Sequence, residues 1–480
     1  MKRLHLLIFF ISFVLLLSSA GCNICDKVSI EITSNPEGAD VYIEIIQDNN
    51  VFPYGVVGKT PITTELSTRN KYRITLEKDG FVSETRDVSL SIFNKKLEVN
   101  LREIPYVFKI DTGQITCQIW DGKVLGNKLF LVSSSELFKI DSSTGKIEYK
   151  AGFERTNPTE PSEPFGGTHI TIENGKVFIW NVAPSKALII DAETGKEIGY
   201  FICAPGERIW NLTKSEASVD KTDIELKLIK PQIYWKREID NEYLSFIQWK
   251  DNMLLFGSIK PKEKYFQIFA VDANTGATTK VFSYPSLKGV DASKITGFLY
   301  PVFEFDPSNE RIYLYPKEYS DTKIVCISLN TFKIDFTKSL NAGYHFYYLT
   351  ENFVYALSDD YSELVAINKD TGEEIKLKLQ LNTSIYGIIE LKDKGRFIGL
   401  VNEERRGAKD IPLTLTFSYL IDINSGKSIV RFPYGSRMIV SDDSKVFLYT
   451  SPFLYPAPDQ ETSGSVIAID KNDLLTSSAP

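Results

Sequence analysis

Short apolar runs, each ended by a polar turn, recur along most of the chain. In the clearest copy, Phe138-Lys139-Ile140 precedes the turn Asp141-Ser142-Ser143-Thr144-Gly145, and a second run begins at Ile147. An Asp that opens a turn accepts hydrogen bonds from the backbone two residues on, and a closing Gly tolerates positive φ. The pattern therefore predicts a strand, a tight turn and an antiparallel strand.

The residues that open and close the repeated turns are predicted to have a structural role. These residues are Asp141 and Gly145, Asp191 and Gly195, Asp272 and Gly276, Asn368 and Gly372, Asp422 and Gly426, and Asp470 in a truncated last copy. A looser copy opens at Ser328. Upstream of each turn is a second hairpin signal, such as Glu173-Asn174-Gly175-Lys176, which an aromatic-rich apolar run follows. One repeat therefore contains four strands.

A four-stranded sheet of this kind cannot bury both of its faces alone, so its copies must stack, and radial stacking protects most edges. The sequence thus predicts an all-β chain with a β-propeller over residues 106–480, with seven blades favoured and eight possible. The wide spacing between Asp191 and Asp272 contains either an insertion at about 203–243 or a degenerate blade. We expect the insertion to be an extended hairpin over one face of the propeller.

The last repeat lacks its fourth strand, because only a short polar tail follows Asp470. Residues 110–113 form a shortened copy of the turn near the start of the propeller, and Gln114–Ile119 follow it. We expect Gln114–Ile119 to supply the missing strand, because closure removes an exposed sheet edge.

Residues 28–102 form a separate small module in which apolar and polar residues alternate, as at Ile30 and Ile32. This period of two is typical of half-buried strands and predicts a small antiparallel β-sandwich. Three motifs occur in order: Pro36-Glu37-Gly38-Ala39, Gly58-Lys59-Thr60-Pro61 and Lys78-Asp79-Gly80-Phe81. Together they resemble the PEGA domain, which implies a surface-associated β module without a catalytic role. Gly58-Lys59-Thr60 is not a phosphate-binding loop, since Pro53 replaces the required glycine.

The chain begins with basic residues, a 12-residue apolar run from Leu6 to Leu17, and small residues that end at Cys22. This order predicts an export signal over residues 1–21 and an anchor linker over 22–27. The ending Ala20-Gly21-Cys22 resembles a bacterial lipoprotein box, which implies that Cys22 is lipidated and anchors the protein to a membrane of the cell envelope, in the periplasm or at the cell surface. The alternative is ordinary signal cleavage, with Cys22 incidental.

Residues 106–480 resemble the quinoprotein-dehydrogenase-like (PQQ-like) propellers, with the best match at Ala270-Val271-Asp272-Ala273-Asn274-Thr275-Gly276. Those enzymes have adjacent cysteines, an acidic calcium site and repeated tryptophan packing between blades. This chain has no Cys-Cys pair, and its five tryptophans do not recur at the blade period. We therefore expect no cofactor, no bound metal and no catalytic residues.

The net charge and the reactive residues exclude further classes of function. The net charge of −7 and the pI of about 5.4 argue against a nucleic-acid partner. Cys117, Cys203 and Cys326 lie in apolar runs and are predicted to be buried thiols, although one disulfide is possible in an exported chain. The histidines at 169 and 345 are predicted to be structural or loop residues.

Two hypotheses of function follow. The first is a non-catalytic cell-envelope lipoprotein whose propeller binds a protein or glycan partner, similar in plan to propeller lipoproteins that assist outer-membrane barrel assembly. The alternative is a propeller enzyme, either like the quinoprotein dehydrogenases or active on polysaccharides. Two aromatic segments, Phe346-Tyr347-Tyr348 and Phe453-Leu454-Tyr455-Pro456, either bind such a partner or lie in the core.

Overall fold

The structure is a computed structural model of the chain. It describes residues 27–48, 50–91, 96–110, 114–115, 119–133, 135–153, 168–181, 185–205, 222–229, 232–239, 243–260, 265–284, 302–306, 310–315, 322–340, 344–350, 352–358, 362–378, 385–390, 397–408, 414–423, 428–432, 437–450 and 464–477. The chain divides into two compact units. The first contains the chain up to Ile104 together with Glu403–Leu420 and Ser428–Pro433, and the second contains the rest.

The N-terminal module of the first unit is a sandwich of two sheets, as predicted. Its strands are β1 (Lys27–Asn35), β2 (Asp40–Gln47), β3 (Asn50–Lys59), β4 (Ile62–Ser67), β5 (Lys71–Glu77), β6 (Glu84–Ser89) and β7 (Lys96–Asn100). One sheet has the order β4-β1-β7 and the other β3-β2-β5-β6. Alternate residues of β1, including Ile30 and Ile32, are buried in the core between the sheets. One pairing differs from the expected antiparallel sandwich, because β1 and β7 are parallel.

The propeller follows from strand β8 (Tyr106–Ile110) onward. Its strands are β9 (Ile119–Leu125), β10 (Lys128–Ser133), β11 (Glu136–Asp141), β12 (Ile147–Gly152), β13 (Thr168–Glu173), β14 (Lys176–Asn181), β15 (Ser185–Asp191), β16 (Glu197–Pro205), β17 (Thr222–Leu228), β18 (Ile233–Ile239), β19 (Tyr243–Lys250), β20 (Met253–Lys260), β21 (Tyr265–Asp272), β22 (Thr278–Tyr284), β23 (Val302–Asp306), β24 (Arg311–Tyr315), β25 (Thr322–Ser328), β26 (Lys333–Leu340), β27 (Tyr344–Leu349), β28 (Phe353–Ser358), β29 (Glu363–Asn368), β30 (Glu374–Lys378), β31 (Ile385–Glu390), β32 (Phe397–Arg406), β33 (Thr414–Asp422), β34 (Ser428–Phe432), β35 (Arg437–Ser441), β36 (Lys445–Thr450) and β37 (Ser465–Asp470).

From Tyr106 onward, the described residues form seven sheets, which we number 1 to 7 in chain order. Sheets 1 to 6 begin with β9, β13, β19, β23, β27 and β31, and sheet 7 has the order β35-β36-β37-β8. The first strands of neighbouring sheets lie beside one another, as β9 does with β13 and β19 with β23, and β35 lies beside β9. Buried cores are shared between consecutive sheets, for example by Phe178 of sheet 2 and Phe256 of sheet 3. This arrangement is that of a β-propeller.

The strand that completes sheet 7 is β8, and the prediction of Gln114–Ile119 for this role was wrong. Phe108 and Ile110 pair with β37, and both are buried in the core between sheets 7 and 1. Ile119 instead begins β9, the first strand of sheet 1. An N-terminal strand does complete the last sheet, as expected, but that strand comes before the shortened turn and not after it.

The predicted insertion contains a hairpin, β17 and β18, but its position differs from the expectation. The hairpin extends sheet 2 at its outer edge, since β17 pairs with β16 through seven residues from Gly199 to Pro205. Ile224, Leu226 and Trp235 are buried in the core shared with sheet 3. The hairpin therefore lies in a sheet and does not cover a face, because its apolar side chains are buried best at that edge.

The chain after β37 also differs from the expected truncated turn. Lys471–Ser477 form a short helix, α1. The side chain of Asp470 accepts a hydrogen bond from the backbone N–H of Asn472 at 2.8 Å. Asp470 thus acts as a helix N-cap and not as the opening residue of a hairpin.

Candidate functional site

Each repeated turn is built around the side chain that opens it. Asp141 Oδ1 accepts hydrogen bonds from the backbone N–H groups of Ser143 and Thr144 at 3.1 and 3.0 Å, and the Gly145 N–H donates to the Asp141 carbonyl at 2.9 Å. The Ser143 hydroxyl and these N–H groups hold the pKa of Asp141 far below its ordinary value. Oδ1 of Asp141 is therefore used within the turn, and Oδ2 lies 3.4 Å from the ammonium of Lys128.

Three other predicted turn residues make the same local bonds. Asp191 and Asp272 each accept from two backbone N–H groups and a threonine hydroxyl, and Asn368 accepts from the N–H groups of Asp370 and Thr371. In the looser turn, Phe332 takes the place of the glycine with φ of 55°. Asp422 is buried, and Gly426 lies outside the described residues.

An aromatic ring from the preceding sheet packs on several of the turn glycines. A Cβ added to Gly276 would lie 2.7 Å from the Trp235 ring, whereas at Gly372 it would meet nothing within 4 Å. Trp235 Nε1 also donates to the carbonyl of Ala273 at 2.8 Å. Tyr149 packs in the same way on Gly195 and donates to Ala192. Tryptophan does not recur at the blade period, so the sequence did not indicate this contact, which Tyr149 makes at one turn and Trp235 at another.

A polar cluster lies on β9 and β13, which are the first strands of sheets 1 and 2. His169 Nδ1 lies 3.6 Å from Asp121 Oδ2, which also accepts a hydrogen bond from the Ile170 N–H at 3.1 Å. Burial alone would raise the pKa of Asp121, but His169, Lys123 and the Ile170 N–H outweigh it and lower that pKa. The His169 ring packs against the Trp180 ring with centroids 5.0 Å apart. His169 thus has structural contacts, as predicted.

Two buried polar atoms of sheet 2 have no hydrogen-bond partner within the part of the chain that the structure describes. They are Nε1 of Trp180 and Oγ1 of Thr171. His169 pairs with Trp180 in the ladder, and Thr171 lies two residues further along β13, on the same face of the sheet. The Trp180 ring also packs against Phe246 of sheet 3, with centroids 6.0 Å apart, at the edge of the core that sheets 2 and 3 share.

The strongest electrostatic contact of the first unit is centred on Arg431, and we call it the Arg431 joint. Arg431 donates to Asp40 Oδ2 at 2.6 Å and to Asp79 Oδ1 at 2.7 Å, and its guanidinium lies 4.1 Å from the centre of the Phe417 ring. Its side chain is only 4% exposed. Burial alone would lower the pKa of Arg431, but Asp79, Asp40 and Glu77 raise it above its ordinary value. Nearby, the Tyr419 hydroxyl donates to Glu77 Oε2 at 2.9 Å.

Asp40 and Asp79 reach Arg431 because the three sequence motifs of the module converge at one end of the sandwich. Thr60 Oγ1 accepts a hydrogen bond from the Ala39 N–H at 3.0 Å, and the Thr60 carbonyl accepts one from Gly38 at 2.9 Å. Lys78 packs its ammonium on the Phe81 ring. Thr60 thus joins strand ends and, as expected, belongs to no phosphate-binding loop. The motifs hold one end of the module together.

The remaining predictions concern the cysteines, metal binding, membrane helices and the aromatic segments. Burial raises the pKa of Cys326 to about 12, which keeps its thiol protonated and unreactive. Within the described ranges, no cluster of His, Cys, Asp or Glu could hold a metal ion, and no helix has the length and apolarity that crossing a membrane requires. Several predictions fall outside the described residues, namely those on Cys22, Cys117 and residues 453–456, and those on the side chains of Cys203, His345 and Phe346-Tyr347-Tyr348.

Solved structures that resemble this chain are propellers of very low sequence identity. The Dos1 propeller is 8% identical, with a TM-score of 0.42 over 77% of this chain and 95% of its own. Hsv2 of Kluyveromyces lactis is 10% identical, with a TM-score of 0.38 over 69% of this chain and 90% of its own. The dihydro-heme d1 dehydrogenase NirN is 13% identical, with a TM-score of 0.35 over 64% of each chain.

Sequence comparison is informative for the N-terminal module. No curated protein matches this chain. The module that the Arg431 joint holds is similar to a known family: residues 27–104 match the PEGA domain.

Proposed function

We propose that this chain is a non-catalytic lipoprotein of the cell envelope, anchored through Cys22, whose propeller binds a protein or glycan partner. The observation that carries the proposal is the Arg431 joint. A buried arginine that bonds two carboxylates holds the PEGA-like module against residues 403–420 and 428–433 of the first unit. An anchor attached to this module would therefore restrain those residues as well, which suits a scaffold.

The chemistry of the described residues supports binding over catalysis. The repeated aspartates are used within their turns, and Asp121 is used by His169 and the Ile170 N–H. The face with His169, Trp180 and Thr171 is the site that we propose for partner contact. The His169 side chain is 40% exposed and its ring stacks on Trp180, so this face presents an aromatic ring that suits the apolar face of a sugar ring or of a peptide group.

The proposal is tested by capture of partners from a membrane extract with the full lipidated chain. We expect His169→Ala, a change at a side chain that is 40% exposed, to reduce capture, whereas Tyr234→Ala, a change at a tyrosine that is 64% exposed, should not. A glycan array separates a carbohydrate partner from a protein. Equal capture by both variants would contradict the proposed binding face.

The anchor and the rival enzyme hypothesis have their own tests. The N-terminal peptide of the mature protein should carry acyl chains on Cys22, and Cys22→Ala should abolish them. Protein reconstituted with pyrroloquinoline quinone should not oxidise alcohols or sugars with a dye as electron acceptor. Sustained turnover in that assay would establish the enzyme in place of the scaffold.

A further inference from the structure

The outer part of the β2–β3 hairpin contains Val51 and Phe52, which are 40% and 49% exposed and follow the polar turn residues Asp48 and Asn50. Neighbouring residues of a strand point to opposite faces, so each face carries one exposed apolar side chain. Val51 pairs with Ile46 and Phe52 with Ile45, both of which are partly buried. The hairpin therefore extends beyond the core of the sandwich, and we call this segment the hairpin tip.

The hairpin tip lies at the end of the module where the described chain begins. Lys27 pairs with Ser67, and the Ser67 N–H donates to the Tyr72 hydroxyl at 2.9 Å. Lys71, next to Tyr72, pairs with Ile46 of the hairpin. In addition, Gln47 Nε2 donates to Asn70 Oδ1 at 3.3 Å. These contacts place Lys27 and the hairpin tip at the same end of the sandwich.

The length of the linker sets how far this end can lie from the anchor. Five residue steps separate Cys22 from Lys27. A fully extended chain covers at most about 3.6 Å per residue, so the linker spans at most about 18 Å. Strand β1 has nine residues, and at about 3.3 Å per residue the module is about 30 Å long. A lipid on Cys22 therefore keeps the hairpin end closer to the bilayer than the motif end.

We propose that the hairpin tip inserts Val51 and Phe52 into the lipid surface to which Cys22 is anchored. This inference rests on the proposed lipidation, and it adds a second contact that orients the module on the membrane. A lipid surface suits this tip because two exposed apolar side chains on a narrow hairpin enter the interface between headgroups and acyl chains without displacing a partner.

The test uses the full lipidated protein in vesicles of phosphatidylethanolamine and phosphatidylglycerol with bromine atoms on the acyl chains. Phe52→Trp adds an indole at the hairpin tip. The matched control, Tyr234→Trp, adds one to the propeller at a position that is 64% exposed. Both proteins carry the same five native tryptophans as background. We expect brominated lipid to quench the added emission of Trp at position 52 and to leave that at position 234 unchanged.

The outcomes separate the inference from the proposed anchor. If the proteins float with the vesicles but both added indoles are quenched equally, or neither is, the hairpin contact is wrong and the anchor stands. If neither protein floats, the anchor fails and the hairpin contact with it. Efficient cross-linking between two copies through position 52 would identify a second copy as the occupant and overturn the inference.

Discussion

At each end of the PEGA-like module an aspartate of the module pairs with an arginine, in very different surroundings. At the motif end, Arg431 and Asp40 have side chains that are 4% and 6% exposed. Toward the hairpin end, Arg73 and Asp87 are 3.0 Å apart, but their side chains are 39% and 36% exposed. The distances are similar, so burial is what distinguishes the two pairs. One end of the module is held by its charges, and the other is left open to its surroundings.

The largest effect is expected from Arg431→Met, which takes the buried cation from Asp40 and leaves it the exposed Lys59, 3.2 Å away. Removal of one partner from a buried ion pair typically costs about 3–5 kcal/mol. The free energy of unfolding in urea should fall by that amount. The control is Arg86→Met, which breaks the ion pair with Glu84. The Arg86 side chain is 55% exposed, so this change should lower the free energy of unfolding by less than about 1 kcal/mol. Similar losses in both variants would contradict the distinction by burial.

An intermediate effect is expected from Tyr419→Phe, which removes the hydrogen bond to the buried Glu77. The loss of a hydrogen-bond donor to a buried carboxylate typically lowers the free energy of unfolding by about 1–3 kcal/mol. The comparison at the hairpin end is Tyr72→Phe, whose hydroxyl accepts from the Ser67 N–H in a partly buried position. Water can replace that partner, so the loss should be smaller in the same urea titration. A larger loss for Tyr72→Phe would reverse the proposed order of the two ends.

A small effect is expected from Arg73→Met, because solvent screens an exposed pair to about 0–1 kcal/mol. The hydrogen bond from Arg73 is the main cause that lowers the pKa of Asp87 below its ordinary value of 3.8. The stability that this carboxylate contributes is therefore present above pH 3.8 and is lost as the pH falls through the lowered pKa. The difference in Tm between the native protein and Arg73→Met should shrink between pH 5 and pH 2. If the difference in Tm grows as the pH falls, then a titratable group other than Asp87 causes it.

The smallest effect on stability is expected from the double variant Val51→Ser and Phe52→Ser. Both side chains are already exposed, so the free energy of unfolding should change by less than about 0.5 kcal/mol. Ile43→Ser, in the same hairpin but fully buried, should cost several times more. A large loss in the double variant would mean that the hairpin tip is part of the core and is not free for a lipid surface.

Local patterns predicted the strands and turns well. The turn at Asp272 depends on residues within four positions, so its bonds to Thr275 and Gly276 follow from the sequence alone. The alternation at Ile30 and Ile32 predicted a buried face in the same way. Such features are encoded where they occur, since the side chain and the backbone groups that it bonds are close in the sequence.

Contacts between distant segments could not be predicted. Arg431 and Asp40 are 391 residues apart, and nothing near Arg431 in the sequence indicates a buried partner. The ring that packs on Gly276 comes from Trp235 in the inserted hairpin, at no fixed spacing from the preceding turn at Asp191. Two short apolar segments, residues 106–110 and 114–119, could each have completed sheet 7. The first does so because Phe108 and Ile110 are buried in the core, which the sequence alone does not show. The site at His169 and Trp180 also depends on pairing across a ladder.

The outer hairpin of sheet 2 limits how this protein could be shortened. Anyone trimming the chain to its minimal repeats would first remove residues 206–239, because they interrupt the regular spacing. That deletion would also remove Trp235, which covers Gly276 and bonds the carbonyl of Ala273 in the next sheet. Sheet 3 therefore depends on a segment that does not belong to the regular repeat, and a shortened chain would have to keep it.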